Sequence, residues 1–110
     1  MKFTVHLVAD AEQDLTDIYQ YVARNDTPTK AEKLLQNLES TILNLQTMPL
    51  RGHVPLELER AGVLEFRELL FKPYRIIYQV TKAEVYVHCV LDGRRNMQEL
   101  LQERVLKRGL

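Results

Sequence analysis

Residues 66–80, FRELLFKPYRIIYQV, decide the fold of this chain. They form two runs of large apolar residues joined at Lys72-Pro73, and residues 85–91, VYVHCVL, follow as a third run. Short runs rich in β-branched and aromatic residues, separated by turn signals, predict strands. We therefore expect three consecutive antiparallel strands. The cations within or directly after them, which would suit an anionic partner, are Arg67, Arg75, Arg94 and Arg95.

A hairpin turn between the second and third strands predicts which residues share a face. Side chains alternate along a strand, so one face of this pair is continuously apolar and the other is mixed and partly polar. We expect helices to cover the apolar face, and the mixed face, which includes His88 and Val90, to stay partly open. The pairs expected across the apolar face are Val80–Val85, Tyr78–Val87, Ile76–Cys89 and Tyr74–Leu91.

Two helices are predicted before the sheet, after an opening strand at residues 3–8. Asp10 is a candidate N-cap for the first helix, whose apolar residues recur at the helical period. Thr27-Pro28 supplies a capping residue and a proline at the first position of the second helix, and Pro49 lies just beyond its end. Two helices joined by so few residues run antiparallel and bury their apolar stripes on a common partner, here the sheet.

The remaining segments are a loop and a last helix. Glycines and prolines predict a loop from Leu50 through Gly62. A helix is expected from Asn96 onward, with Met97, Leu100, Leu101 and Val105 inward and Arg104, Lys107 and Arg108 outward. The predicted fold class is α+β: an N-terminal strand, an antiparallel two-helix hairpin packed on one face of a small antiparallel sheet, and a short C-terminal helix.

The composition predicts one ordinary globular domain spanning residues 1–110. Hydrophobic residues make up 45% of the chain and charged residues 27%, and the net charge is zero, so the molecule as a whole has no strong attraction to nucleic acid or membrane. The two parts of the chain differ in net charge. Residues 1–48 hold four basic and seven acidic side chains, whereas residues 49–110 hold eleven basic and eight acidic side chains. An anion-facing surface is therefore expected in the second half.

Cysteine usage and hydropathy indicate a reducing compartment. The single cysteine, Cys89, excludes an internal disulfide framework and suits a small buried hydrophobe. No basic-then-apolar leader opens the chain, and no apolar run is long enough to cross a bilayer. We therefore expect a cytoplasmic protein without a membrane partner.

Several catalytic chemistries lack support in the sequence. No glycine-rich phosphate loop is present, and the only serine, Ser40, falls in the middle of a predicted helix. The three histidines lack the short spacings of a zinc site. We therefore expect no cofactor and no metal ion. The groups that remain as candidates for chemistry or binding are Arg67, Arg75, Arg94, Arg95, Glu57, His53, His88 and Asp92.

These candidates have two interpretations. Arginines could hold phosphate bidentately and stabilise charge that develops on it, and a metal-free ribonuclease would add a base and an acid from nearby groups. In the alternative interpretation, Arg67 and Arg75 pair with carboxylates such as Glu68, Arg94-Arg95 is a solvated turn, and His88 is structural. The residues alone support an α+β domain with a candidate anion surface.

The order and spacing of several motifs resemble the RelE/ParE family of bacterial toxins. Residues 11–18 read AEQDLTDI, with Tyr21 following, and residues 48–52 read MPLRG after the second helix. The strand motifs are FREL at residues 66–69, PYRIIY at residues 73–78 and VLDGRR at residues 90–95. Together they cover nearly the whole chain. The resemblance implies a toxin of a type II toxin–antitoxin module, held inactive by an antitoxin protein.

The resemblance also implies two alternative targets. RelE-like members cleave messenger RNA in the ribosome, whereas ParE-like members inhibit DNA gyrase without being enzymes. If the chain is a ribonuclease, the family motifs place Arg75 and Arg95 on phosphate, and Glu57 or His88 would serve as the base. A third alternative is a degenerate member that binds its antitoxin and no longer poisons anything. The sequence also leaves open whether the toxin forms a homodimer.

Two departures from the ribonuclease pattern favour the gyrase inhibitor. The family's two strand lysines align with Phe66 and Glu68, and the tyrosine that follows its basic pair has no counterpart, since Leu101 occupies the nearest position. Each lost cation should cost on the order of 3 kcal/mol of transition-state stabilisation. The target-binding residues expected for a gyrase inhibitor are Arg67, Arg75, Arg94 and Arg95. We expect the antitoxin to lay an amphipathic helix or an added strand over the groove between helices and sheet.

Overall fold

The computed structural model describes residues 2–106 of the chain. It has an α+β fold in which two long helices pack on one face of a four-stranded sheet and shorter helices cover part of the other face. The elements are β1 (Thr4–Leu7), α1 (Ala9–Asn25), α2 (Pro28–Leu43), α3 (Leu56–Arg60), β2 (Phe66–Phe71), β3 (Tyr74–Thr81), β4 (Glu84–Asp92) and α4 (Met97–Leu101). A 3-10 turn at Asn44–Gln46 extends α2, and a π-helical turn at Gln102–Leu106 follows α4.

The sheet is mixed, with the strand order β1-β4-β3-β2. The three strands β2, β3 and β4 are antiparallel, as the sequence predicts, and β1 joins β4 in parallel, from Thr4 opposite Glu84 to Leu7 opposite Val87. Strands β1 and β2 are therefore the two edges of the sheet.

The starts of the two long helices differ in how well the sequence predicts them. Thr27 Oγ1 accepts a hydrogen bond from the backbone N–H of Lys30 at 3.1 Å, and Pro28 occupies the first helical position, so the predicted cap of α2 is confirmed. The predicted cap at Asp10 is wrong, because α1 begins at Ala9 with Val8 as its N-cap. Asp10 instead lies in the first turn, where its carboxylate faces the positive end of the helix dipole.

A β-bulge in β4 changes the register that the sequence predicts. The pairs expected nearest the turn are present, including Tyr78 opposite Val87. The next residue of β3, Ile77, lies opposite Cys89, so His88 has no partner position on β3 and is an extra residue on β4. Beyond His88, every residue of β4 lies on the other face from the one expected. The predicted pairs Ile76–Cys89 and Tyr74–Leu91 are therefore wrong, and the observed pairs are Ile76–Val90, Arg75–Leu91 and Tyr74–Asp92.

The bulge gives the sheet two apolar faces, each with its own core. The core under the helical hairpin includes Leu15, Leu38, Ile76, Tyr78 and Val90. The second core lies under α3, α4 and the π-helical turn and comprises Leu58, Phe66, Ile77, Cys89, Leu91, Met97, Leu101 and Val105. The face that the sequence predicts to be partly open is thus covered where the short helices lie.

Two further predictions are corrected in the second half of the chain. The stretch predicted as a loop contains α3, whose Leu58 is buried in the second core. Arg104, predicted to point outward, donates to both oxygens of Asp14 at 3.2 and 2.8 Å and is largely buried. The inward residues of the last helix are confirmed, since Met97, Leu101 and Val105 are buried. Lys107 and Arg108 lie outside the described residues.

Candidate functional site

Arg75 lies on β3 between two carboxylates. Its Nε donates to Glu68 Oε1 at 2.6 Å, and its Nη1 and Nη2 donate to the two oxygens of Glu57 at 2.8 and 2.7 Å. The Arg75 side chain is only 15% exposed. Its charge is therefore offset by two anions in a site that water reaches poorly, and the three groups together carry one net negative charge.

This arrangement keeps both partners of the Arg75–Glu57 pair ionised at neutral pH. The hydrogen bond from Arg75 holds the pKa of Glu57 below its ordinary value of 4.5, although partial burial acts in the opposite direction. The hydrogen bond to Glu57 likewise raises the pKa of Arg75. A general base works best with a pKa near the operating pH, so a carboxylate with a lowered pKa is a weak candidate for that role.

Two local features place these side chains together. Helix α3 is anchored by Leu58 in the second core, and this turns the neighbouring Glu57 towards the sheet. Gly93, at the end of β4, leaves room for the arginine, because a Cβ atom there would lie 2.9 Å from Arg75 Cδ and 3.0 Å from the carbonyl oxygen of Pro73. A side chain at position 93 would therefore displace Arg75 or the turn before it.

Glu68, which the sequence suggests as a structural partner for an arginine and not as a functional residue, completes this cluster. It is 4% exposed, and its Oε2 lies 3.0 Å from His53 Nε2 while Oε1 accepts from Arg75. The backbone of Glu68 is also paired with His53, through N–H···O distances of 2.7 and 3.3 Å. An acidic residue on the strand adjacent to an arginine was the available signal, because residues 68 and 75 lie on the same face of neighbouring strands.

Arg67 lies on the other face of the sheet from Arg75. Its Nη1 donates to the carbonyl oxygens of Gly52 at 2.6 Å and Leu50 at 3.3 Å. The N–H of Gly52 in turn donates to the hydroxyl of Tyr78 at 2.9 Å. Arg67 therefore fastens the segment after α2 to the sheet, through carbonyl groups rather than through the strand carboxylates that the sequence suggested.

Arg94 and Arg95 follow the last strand and are exposed to solvent. Arg94 forms a bidentate pair with Asp92, at 3.0 and 2.7 Å, and its side chain is 75% exposed. The hydrogen bond from Arg94 lowers the pKa of Asp92. Among residues 2–106, Arg95 has no ion-pair partner. Of the four predicted cations, these two are thus the ones that a partner could reach.

His88 is the bulged residue of β4 and lies apart from the Arg75 cluster. Its Nε2 is 3.3 Å from Gln79 Oε1, and its ring meets that of Phe66 edge-on with centroids 5.3 Å apart. Gln79 and Phe66 are thus among its partners, and neither belongs to the Arg75 cluster.

No metal site or membrane span is found in the part of the chain that the structure describes. Residues 2–106 contain no group of three or more histidine, cysteine, aspartate or glutamate side chains that could hold a metal ion. None of the helices described there is long and apolar enough to cross a membrane.

A groove runs beside the edge strand β1, between it and the helical hairpin. Its two parts share Leu7 and Glu39, and the larger part has a volume of about 390 Å³. The N–H groups of Thr4 and Val8 bond to the β4 side of the sheet, so the backbone of Val5 and Leu7 faces the outer edge. The groove is lined by Val5, Leu7, Glu12, Leu15, Thr16, Tyr19, Gln20, Leu35, Glu39, Ile42 and Leu43.

Solved structures of several toxins share this fold. The chromosomal ParDE toxin–antitoxin system of Pseudomonas aeruginosa includes a chain that is 21% identical, with 81% of this chain and 94% of that chain covered and a TM-score of 0.68. A chain of the RelBE2 toxin–antitoxin complex from Mycobacterium tuberculosis is 19% identical over 82% and 96%, with a TM-score of 0.61. A mutant of the E. coli toxin RelE in the free state is 15% identical over the whole of both chains, with a TM-score of 0.64. At these identities the likeness establishes the fold.

The family itself is identified by the sequence. A search of curated protein sequences gives no significant match. The model of the family described as the ParE toxin of the type II toxin–antitoxin system parDE matches residues 5–97, most of the chain. This chain therefore belongs to the ParE family of type II toxin–antitoxin toxins, which confirms the family that the sequence motifs predict.

Proposed function

We propose that this chain is a toxin that acts by binding and inhibiting DNA gyrase in the cytoplasm, and that it does not cleave RNA. The observation that carries the proposal is the engagement of Arg75 by both Glu57 and Glu68. Membership of the ParE family supports the same target, since gyrase is the target expected of ParE-like members.

The Arg75 cluster is poorly suited to hold a phosphate. A phosphodiester approaching Arg75 would meet two carboxylates that already lie within 2.8 Å of the guanidinium nitrogens. Repulsion between these anions and the phosphate opposes binding, and it increases as negative charge develops in the transition state. Glu68 also occupies the position where the ribonuclease pattern has a lysine, so an anion replaces a cation there.

The four predicted target-binding arginines divide into two roles under this proposal. Arg67 and Arg75 hold the protein together, through backbone carbonyls and through carboxylates respectively. Arg94 and Arg95 remain exposed beyond β4 and are the residues that we assign to target contact.

The antitoxin is the second proposed partner, and the groove beside β1 is its proposed binding site. An open strand edge can pair with an added strand, and the apolar floor can accept alternate side chains or one face of an amphipathic helix. The acidic residues Glu12 and Glu39 in the groove favour an antitoxin segment that carries lysine or arginine among its apolar residues.

Pulse labelling of cells tests the target. The gene is induced from a tight promoter, and incorporation of labelled thymidine is compared with that of labelled methionine within minutes. A gyrase inhibitor stops thymidine incorporation first. An earlier fall in methionine incorporation would instead favour the ribosome-dependent ribonuclease, with Arg75, Arg95, Glu57 and His88 as the residues to re-examine.

Charge reversal in the groove tests the antitoxin site. Glu12→Lys with Glu39→Lys should weaken neutralisation by a co-expressed antitoxin and leave growth inhibition by the toxin alone unchanged. Glu32→Lys with Glu59→Lys, at exposed positions outside the groove lining, is the control with the same change in net charge. Full neutralisation of the double variant would place the antitoxin elsewhere.

A further inference from the structure

We infer that the antitoxin enters the groove beside β1 as a short added strand that pairs with Val5 and Leu7, and not as a helix, and that a lysine or arginine of the same segment lies between Glu12 and Glu39. The inference rests on the proposed function, because it takes the groove as the antitoxin site. It extends that function by specifying the backbone conformation, the length and the residue pattern of the bound segment.

The outer edge of β1 presents open backbone groups at two residues. The N–H groups of Thr4 and Val8 donate to carbonyl oxygens on the β4 side, at 3.0 and 3.1 Å, and β1 pairs with β4 in parallel. Backbone groups alternate in direction along a strand, so the N–H and C=O groups of Val5 and Leu7 point away from the sheet. Within residues 2–106, these outward groups have no hydrogen-bond partner.

Both ends of this open edge are closed by the chain itself. Before Val5, the N–H of Phe3 donates to the carbonyl oxygen of Gln46 at 2.7 Å, so the 3-10 turn after α2 covers the strand there. After Leu7, the carbonyl oxygen of Val8 accepts two N–H groups from the first turn of α1, at 2.9 and 3.1 Å, and the chain continues as the helix. An added strand therefore has room to pair only along the short stretch from Val5 to Leu7.

The open edge favours a strand over a helix. In the interior of an α-helix every N–H and C=O group is bonded within the helix. A helix in the groove would thus displace water from the backbone of Val5 and Leu7 and leave their polar groups buried without partners, which is unfavourable. A strand supplies matching N–H and C=O groups at the spacing of the edge.

The part of the groove next to this edge matches alternating apolar side chains. It is lined by Val5, Leu7, Ile42 and Leu43, with Glu39 at its border, and has a volume of about 340 Å³. Leu43 is 54% exposed, so much of its surface is available for contact. Alternate side chains of an added strand lie on the same face. We therefore expect apolar residues at alternate positions of the antitoxin segment.

Two carboxylates specify a cation in the same segment. Glu39 lines both parts of the groove, and Glu12 lines the larger part, which continues between α1 and α2. The groove lining contains no lysine, arginine or histidine, and neither glutamate forms an ion pair within residues 2–106. A lysine or arginine where the segment leaves the strand would offset both charges.

A proline at position 5 tests the backbone pairing directly. Val5→Pro removes one outward N–H group and keeps the bonds of Thr4 and His6 to β4, and proline is tolerated on an edge strand where its nitrogen faces solvent. Val5→Ala shortens the side chain and keeps the N–H group, so it is the matched control. Circular dichroism and thermal unfolding establish that each variant is folded.

Affinity is measured with purified proteins, using the antitoxin encoded beside this gene. We expect Val5→Pro to bind at least about tenfold more weakly than Val5→Ala, because only proline removes a hydrogen bond to the added strand. Hydrogen exchange of the wild type needs no variant. The amides of Val5 and Leu7 should exchange at least about tenfold more slowly in the complex, whereas the amide of His6, which faces β4 in both states, should change less.

Each contrary outcome has a separate meaning. A folded Val5→Pro variant that binds as tightly as Val5→Ala, or unchanged exchange at Val5 and Leu7, would overturn the added strand. If Glu12→Lys with Glu39→Lys weakens binding in that case, the antitoxin site stands and a helix occupies it. If neither variant weakens binding, the proposed antitoxin site itself fails. Weak binding of Val5→Pro together with full binding of the charge-reversed variant would overturn the cation alone.

Discussion

Arg75 and Glu57 form a two-point ion pair across 18 residues of the chain, with nitrogen–oxygen distances of 2.8 and 2.7 Å. The pair joins α3 to β3, and Glu68 on β2 accepts a further hydrogen bond from Arg75 Nε. An arginine that sequence motifs place at a phosphate-binding position is thus part of the internal framework. Substitution of Arg75 would therefore change the stability of the fold, and a loss of activity would not by itself show that Arg75 binds phosphate.

Replacing Arg75 by alanine should destabilise the protein. Two largely buried carboxylates would lose their cation, a change that typically costs about 3–5 kcal/mol. Denaturant unfolding monitored by circular dichroism measures the loss, and Arg95→Ala, at an exposed position, is the control with little effect. An Arg75→Ala protein as stable as the wild type would contradict the structural role.

The stability of the wild type should fall below about pH 4.5 partly because of Glu57. Its pKa is lowered in the folded state, so its contribution is fully present above the unfolded value of 4.5 and is lost as the pH falls through the lower, folded pKa. Glu57→Gln should flatten the pH dependence of the unfolding free energy in this range. Glu59→Gln, on the exposed side of the same helix, should leave it unchanged.

Cys89 should be unreactive in the native protein. It is fully buried in the second core, and burial raises the pKa of its thiol to about 12, so almost no thiolate exists at neutral pH. Reaction with a chromogenic disulfide reagent should follow the unfolding transition as denaturant is added. Fast labelling without denaturant would mean that the last helical segment does not cover the sheet as described.

Asp14→Asn should loosen the C-terminal segment. The Asp14 carboxylate binds Arg104 through two hydrogen bonds and also accepts the N–H of Val90, so it ties α1, β4 and the π-helical turn together. The loss should be about 2–3 kcal/mol, with earlier hydrogen exchange near Val105 than in the rest of the second core. Asp17→Asn, at an exposed position one turn further along α1, is the control. Unchanged exchange would show that Asp14 does not hold this segment.

The same contacts explain why truncation would be a poor test of target binding. Removing the chain from residue 94 onward would also delete Met97, Leu101 and Val105 from the second core. A loss of toxicity could then result from unfolding, whereas substitutions at the exposed residues Arg94 and Arg95 leave that core intact.

The sequence predicted the elements that depend on local signals. Thr27-Pro28 marks the start of α2 because both the capping hydroxyl and the fixed proline backbone act within one turn. The strands around Lys72-Pro73 follow from their apolar, β-rich composition. These signals were enough to predict the α+β class and the helical hairpin.

The parts that were missed depend on packing between distant segments. After Val87, strand β4 is apolar on both faces, so the sequence pattern does not distinguish the observed register from one without the bulge at His88. The helix carrying Glu57 is five residues long, too short for a periodic signal. The pairing of Arg75 with Glu68 was one of the two interpretations of the sequence, and it is confirmed. Glu57 and Asp14, which bind Arg75 and Arg104, come from elements far away in the chain, so local signals did not predict these two pairs.

Supercoiling of plasmid DNA by purified gyrase is the most direct test of the proposed inhibition. The chain is added in increasing amounts to gyrase that is supercoiling relaxed plasmid, and in parallel to ribosomes translating a defined messenger RNA. We expect supercoiling to stop and the messenger RNA to stay intact. The Arg94→Glu/Arg95→Glu variant should be inactive in the gyrase reaction, and Lys33→Glu/Lys82→Glu, with the same change in net charge at exposed positions, should be active. Unimpaired supercoiling together with ribosome-dependent cleavage of the messenger RNA would contradict the central claim.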